Sequence, residues 1–158
     1  MNLEVKAAIE SAIGRLEQSF SIFYANLFQA NLGLDQVDKR GFPVVIIIPP
    51  ATWTNTRTQS GLINSTFPLR MLFLDRFTEE TSDYTSEEVE PIMDNMLERG
   101  QQFISEFEDD PVITKNLKIN PATFDRIYGG FDAHLYGYGL TATVPVTVKR
   151  SCKGIITS

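Results

Sequence analysis

Apolar residues recur at spacings of three and four from the start of the chain: Val5, Ile9, Ala12, Ile13, Leu16, Phe20, Phe23 and Leu27. That is one stripe at helical period, with Lys6, Glu10, Arg15, Glu17 and Gln18 off it. The spacing predicts a long amphipathic helix that tolerates Gly14 at a small cost and stops near "ANLGLD", where Gly33 can supply a cap. The pattern then changes. "GFPVVIIIPP" is a continuous apolar run bounded by Pro43, Pro49 and Pro50, which predicts a short strand with both faces covered. "FPLRMLFLD" predicts a second strand, with Phe67, Leu69, Met71 and Phe73 on one face and Leu72 and Leu74 making the other partly apolar. Between them, residues 51–65 read as an extended polar hairpin loop rich in Thr, Ser and Asn.

"TSEE", Thr85 to Glu88, has capping-box spacing and opens a second amphipathic helix. Its stripe is Val89, Ile92, Met93, Met96, Gly100, Phe103, Ile104 and Phe107. Pro91 predicts that this helix starts or bends there, and Gly100 on the stripe predicts a close-packing point. After Pro111 a strand broken at "NPA" is expected, then a glycine-rich connection. "LTATVPVTVKR" follows as a closing strand of strict alternation, with Leu140, Ala142, Val144, Val146 and Val148 on one side. Thr141, Thr143, Pro145, Thr147 and Lys149 take the other side, and Pro145 predicts an edge or bulge. Residues 150–158 read as a loose tail. The order helix-strand-strand-helix-strand-strand predicts one α+β domain over residues 1–158: a mostly antiparallel four-stranded sheet packed with two long amphipathic helices.

Composition narrows the function. The 158 residues include a single cysteine, Cys152, and a single histidine, His134, so an internal disulfide, a cysteine metal cluster or a pair of histidine ligands is excluded. A Ser–His–Asp arrangement would have to use His134, and nothing around it points to that role. There is no P-loop and no dinucleotide fingerprint. The expectation is therefore no catalytic residue, no cofactor, no metal and no enzymatic activity. The net charge is −6, and the 14 basic residues are scattered, which argues against DNA reading. An acidic surface does suit a channel that DNA crosses without sticking. No apolar run approaches the roughly 20 residues of a membrane helix, and the N-terminus carries acids inside its apolar pattern, unlike a signal peptide. The acids from Glu106 to Asp110 flank a helix end where the dipole does not favour them. Trp53 and Arg57 lie in the polar loop, and these residue types are the most enriched at interface hot spots.

The order of elements resembles the small virion proteins that close a phage tail or join head to tail, the lambda-type tail terminator group above all. The resemblance lies in the first helix, in "FPVVIIIPP" and "FPLRMLFLDRF" flanking a Thr/Asn loop, in "EEVEPIMDNMLERGQQFI", and in the closing "DRIYGGFDAHLYGYGLTATVPVTV". It implies an α+β fold and a homo-oligomeric ring at the head–tail junction or tail end. The partners would be further copies of the chain and other neck or tail proteins, with DNA passing through unbound and no membrane. The location would be the virion, and the host cytoplasm during assembly. The same outline fits a neck-ring adaptor. Candidate interface residues are Trp53 and Arg57, Val45 and Ile47 on one face of the first strand, and Thr141, Thr143 and Thr147 on the polar side of the last. The rival reading is a small-ligand-binding module or enzyme built on the aromatic, glycine-rich residues 128–139.

Overall fold

The computed structural model describes residues 3–24, 42–50, 54–57, 63–76, 86–110, 119, 121–130 and 135–147. Its elements in chain order are α1 (Leu3–Gly14), β1 (Ser21–Tyr24), β2 (Val44–Ile48), β3 (Thr54–Arg57), β4 (Ile63–Arg76), α2 (Ser86–Glu108), β5 (Ala122–Gly130) and β6 (Leu135–Thr147). The class is α+β, as expected, but the sheet has six strands among the described residues rather than four. The strands run in the order β1-β2-β4-β6-β5, and β3 pairs with the early part of β4. Among the described pairings only β1–β2 is parallel. No helix of the described residues is long and apolar enough to cross a membrane.

Both additional strands fall where the sequence pattern admits two readings. The first helix ends at Gly14, well before Phe20 and Phe23, and Leu27 lies outside the described residues. Gly14 therefore terminates the helix rather than interrupting it, and the Leu16 amide closes the last turn on the Ile13 carbonyl at 3.1 Å. Beyond it, Phe20, Ile22 and Tyr24 pack on one face of the sheet and Phe23 on the other. That is strand alternation, which over so short a stretch also satisfies a three-or-four spacing. β3 lies inside the expected polar loop. It forms an antiparallel ladder with the start of β4, Thr54 opposite Thr66 and Arg57 opposite Ile63. The "YGGFDAHLYGYG" stretch, read above as a connection, supplies the end of β5 and the first half of β6.

Prolines sit where the ladders are open. Pro68 faces Thr143 on one side, and on its other side it lies between the end of the β3 ladder at Thr66 and the start of the β2 ladder at Arg70. Pro145 lies past the end of the β5 ladder at Ala142, so its described pairing is with β4 alone. Pro91 neither starts nor stops α2, which runs through it. Pro91 is exposed, so water can satisfy the carbonyl its ring leaves free.

Both helices pack on one face of the sheet. The main core joins Val5, Ile9, Ala12 and Ile13 of α1 and Met96, Phe103 and Phe107 of α2 to Val45, Ile47, Phe67, Leu69, Met71, Phe73, Leu140, Ala142 and Val144. Aromatic contacts run through it: Phe73 meets Phe103 at 5.8 Å between ring centres, and Phe103 stacks on Phe107 at 5.3 Å. Gly100 brings α2 onto β5, as its place on the stripe predicts; a Cβ there would lie 2.7 Å from the Phe124 ring. The opposite face holds a second buried cluster, Val44, Ile46, Leu72, Leu74 and Leu135. Four of the five residues of "VVIII" are thus fully buried inside the chain, alternately in the two clusters. Both faces of this strand are covered, as its unbroken apolar run predicts, but not by one helix each: α2 lies on the same face as α1, and Val44 and Ile46 on the far side are buried within the single chain.

Asp75, half-buried in the ladder opposite Tyr136, gives a pH-dependent prediction. Burial raises its carboxyl above the ordinary range, and the hydrogen bond donated by the Arg76 amide at 2.8 Å works the other way. The folded chain thus holds this proton more tightly than the unfolded chain. The group favours folding fully below the ordinary carboxylate value, and that contribution is lost as pH rises through the raised folded value. Asp75→Asn keeps the acceptor for Arg76 without the charge. It is expected to be more stable than the parent at about pH 7, with the gap closing toward about pH 3. Urea unfolding at both pH values tests this, and an equal gap at both would contradict it.

Candidate functional site

The expected interface residues separate into three places. Val45 and Ile47 lie under the helices and are fully buried. An interface through them would require the chain to open its own core, so this expectation is corrected. Trp53 lies outside the described residues. Arg57 is the last residue of β3, and its backbone faces Ile63. Thr141 and Thr143 are exposed, opposite Arg70 and Pro68 of β4. Thr147 is in register with Asn64, which is in register with Thr56 of β3.

The ladders bring Thr141, Thr143 and Thr147, but neither Arg57 nor the β2 pair, to the face away from the helices. Thr54, Thr66 and Pro145 are in register across three strands, as are Thr56, Asn64 and Thr147. Thr141 lies between Arg70 and Thr123 of β5. The far face therefore has two halves. One is the apolar cluster around Val44 and Leu72; the other is a threonine-rich plate with exposed Thr54, Pro68, Arg70, Thr123, Asp125, Thr141 and Thr143. Beneath the plate, buried Ser65 donates to the Asn55 side chain, tying β3 to β4. Cross-strand threonine pairs of this kind stabilise a ribbon through packing and hydroxyl bonding.

The acidic clusters are used structurally where they are described. Glu106 accepts from Arg15 Nε at 2.9 Å, and the Glu106 carbonyl accepts from Arg15 Nη2 at 3.0 Å. A cation from the end of α1 thus offsets the acids at the C-terminal end of α2, which has no basic residue in its own last turn. Glu90 pairs with Arg126 of β5, and Glu87 and Glu88 lie in the first turn of α2, where the dipole favours them. Arg99, nearly buried on α2, donates to Glu17 at 2.8 Å and to Gln102 at 2.9 Å, while its Nε is buried without a partner. Asn95 donates to Gln18 at 2.7 Å alongside, so the segment after α1 is fastened to α2 by side chains. This polar clamp is the feature that sequence reasoning missed, because its five residues come from two separate stretches and none forms a local motif.

Among the described residues no three His, Cys, Asp or Glu side chains converge as metal ligands. In the 128–139 region, Tyr128 and Tyr136 meet edge to face at 5.1 Å across the β5–β6 ladder. Gly137 allows β6 to press against β4, since a Cβ there would lie 1.9 Å from the Phe73 carbonyl oxygen. A cleft of about 370 Å³ lies elsewhere, at the end of α1, lined by Glu10, Ile13, Gly14, Leu16, Glu17 and Phe20 among others.

Among the described residues the sheet also ends openly on both sides. Among these residues β1 pairs only with β2, and β5 only with β6. β1 is half-buried throughout, whereas β5 exposes Thr123, Asp125, Arg126 and Tyr128. Tyr128, half exposed, is the large hydrophobic residue that stands out on the described surface. Compared with known proteins, the chain matches no protein-family model and no curated relative.

Proposed function

We propose that the chain is a structural virion protein that assembles into a closed homo-oligomeric ring at a phage head–tail junction or tail end. Its action is geometric: the ring fixes symmetry, caps or bridges neighbouring rings, and leaves a channel for DNA. The observation that supports this reading is the pair of unlike outer strands of the sheet among the described residues, a short half-apolar strand at one end and a long, partly charged strand at the other. Rings form through heterologous contacts, which need two different complementary patches on each subunit. The threonine plate and the β3–β4 ribbon are a third surface, free to meet another ring. The net charge of −6 suits a lumen that does not hold DNA.

Purified chain is expected to form discrete rings, visible by negative-stain microscopy at high protein concentration. Virion particles lacking the protein should fail at head–tail joining or at tail termination. A chain that supports neither assembly step, and that instead binds a small molecule through residues 128–139 or in the cleft at the end of α1, would replace this reading with a ligand-binding one.

A further inference from the structure

We infer that copies of the chain join edge to edge, β5 of one copy pairing with β1 of the next in an antiparallel ladder, so that one sheet continues from subunit to subunit. This inference rests on the ring reading and assigns its junction.

Strand direction is the first support. β1 and β2 run together, and every later neighbour reverses, so β1 and β5 at the two ends of the sheet point in opposite directions. A rotation about an axis running along the strands, the kind that lets one sheet continue into the next, keeps strand directions and keeps the helices on the same side. It therefore sets β5 beside β1 in antiparallel orientation, the more stable pairing. Had β1 been antiparallel to β2, the same rotation would give a parallel junction.

The second support is chemical complementarity at one register. On the helix face β1 offers Ile22 and Tyr24, and β5 offers Phe124, Arg126 and Tyr128; on the far face stand Phe23 and Ile127. Setting Tyr24 opposite Arg126 sets Phe23 opposite Ile127 and Ile22 opposite Tyr128. Phe23 and Ile127 are the partly buried outer members of the same far-face cluster, at its two ends. Pairing them joins that cluster across the boundary, while Ile22 covers the exposed Tyr128 ring. The charges match as well. Around Tyr24, α1 supplies Glu10, which accepts from the Tyr24 hydroxyl at 2.6 Å, and Lys6, whose Nζ is 4.8 Å from the ring centre. Around Arg126, α2 supplies Glu90 and Asp94. The junction thus brings Glu10 toward Arg126 and Lys6 toward Glu90 and Asp94. Sliding by two residues one way places Phe23 against Asp125. Sliding the other way places it in the irregular stretch between Tyr128 and Gly130.

The test is a cysteine pair, Ile22→Cys with Tyr128→Cys, in a Cys152→Ser background. Within one copy these positions lie four strand spacings apart, about 19 Å. That is far beyond the roughly 7 Å limit for a disulfide, so any bond must link two copies. Mild oxidation is expected to give a ladder of covalent multimers on a non-reducing gel. The shifted pair Ile22→Cys with Phe124→Cys should give little beyond the background of the single variants. As a check that needs no mutation, amides of Ser21–Tyr24 and Ala122–Gly130 in the wild-type assembly should exchange about tenfold or more slowly than in the dilute chain. Oligomers that show neither the cross-link nor this protection overturn the junction and leave the ring reading standing. Cross-linked chains that grow into open filaments overturn the ring and leave the junction. A chain that stays monomeric at every concentration overturns both.

Discussion

Phe103→Ala should lose about 3–5 kcal/mol of folding stability, since a fully buried aromatic is replaced by a methyl group and leaves a cavity. The position is more exacting than an ordinary core site. Phe103 lies between Phe73 of β4 and Phe107 one turn further along α2, so one ring couples the sheet to two turns of the helix. Collapse around the cavity is limited because β4 is held by ladders on both sides and cannot move toward α2. Urea unfolding followed by circular dichroism measures the loss. A change below about 2 kcal/mol would mean that α2 does not sit on the sheet as described. Because this helix also carries Glu90 and Asp94 to the β5 edge, the variant should weaken oligomer formation along with folding.

A graded series at three glycines should give the second large effect. Gly137→Ala places a methyl group 1.9 Å from a backbone oxygen of the paired strand, a clash that no rotamer change relieves. β4 and β6 would have to separate locally in the longest ladder of the sheet. The expected loss is about 3 kcal/mol or more, at or above the upper end for overpacking. Gly100→Ala meets the Phe124 ring at 2.7 Å, and a ring can tilt, so about 1–2 kcal/mol is expected. Gly14→Ala meets nothing within 4 Å and should change stability by less than about 1 kcal/mol. Thermal or urea unfolding of the three variants checks the order. If Gly137→Ala is as stable as Gly14→Ala, the β4–β6 pairing is wrong at that point.

Much of the fold is legible in the residues, and its gaps have physical causes. The α2 stripe, the alternation of β4 around Phe67 to Phe73, and the alternation from Leu140 to Val144 each follow from a period sustained over many residues. The glycine at position 100 was readable because it interrupts an otherwise bulky stripe. β1 was not readable, because four residues after a helix end fit both periods and the parallel partner lies some twenty positions away. β3 was hidden for a different reason. Its residues are polar and gain their place from pairing with β4, a long-range contact with no local signature. Gly137 and Gly139 suggested a loop by composition, while their use in a ladder depends on how closely β4 approaches.

For the candidate surfaces, the sequence marked Thr141, Thr143 and Thr147 as one polar face, and the ladders add Thr54, Thr66 and Thr123 to it. It also directed attention to the wrong part of β2. A run of five β-branched residues between prolines is compatible with an exposed, partner-seeking strand. Here both its faces are consumed inside the chain. Among the described residues the open edges lie instead at the ends of the sheet, which hydropathy does not reveal because what is open there is backbone.

The central claim is assembly through two unlike edges of one sheet, and native mass spectrometry of the purified chain across a concentration series tests it most directly. One dominant closed oligomer of fixed subunit number is expected at high concentration, dissociating toward monomer on dilution. A single monomeric species throughout, or a continuous distribution of sizes without a preferred number, would contradict it.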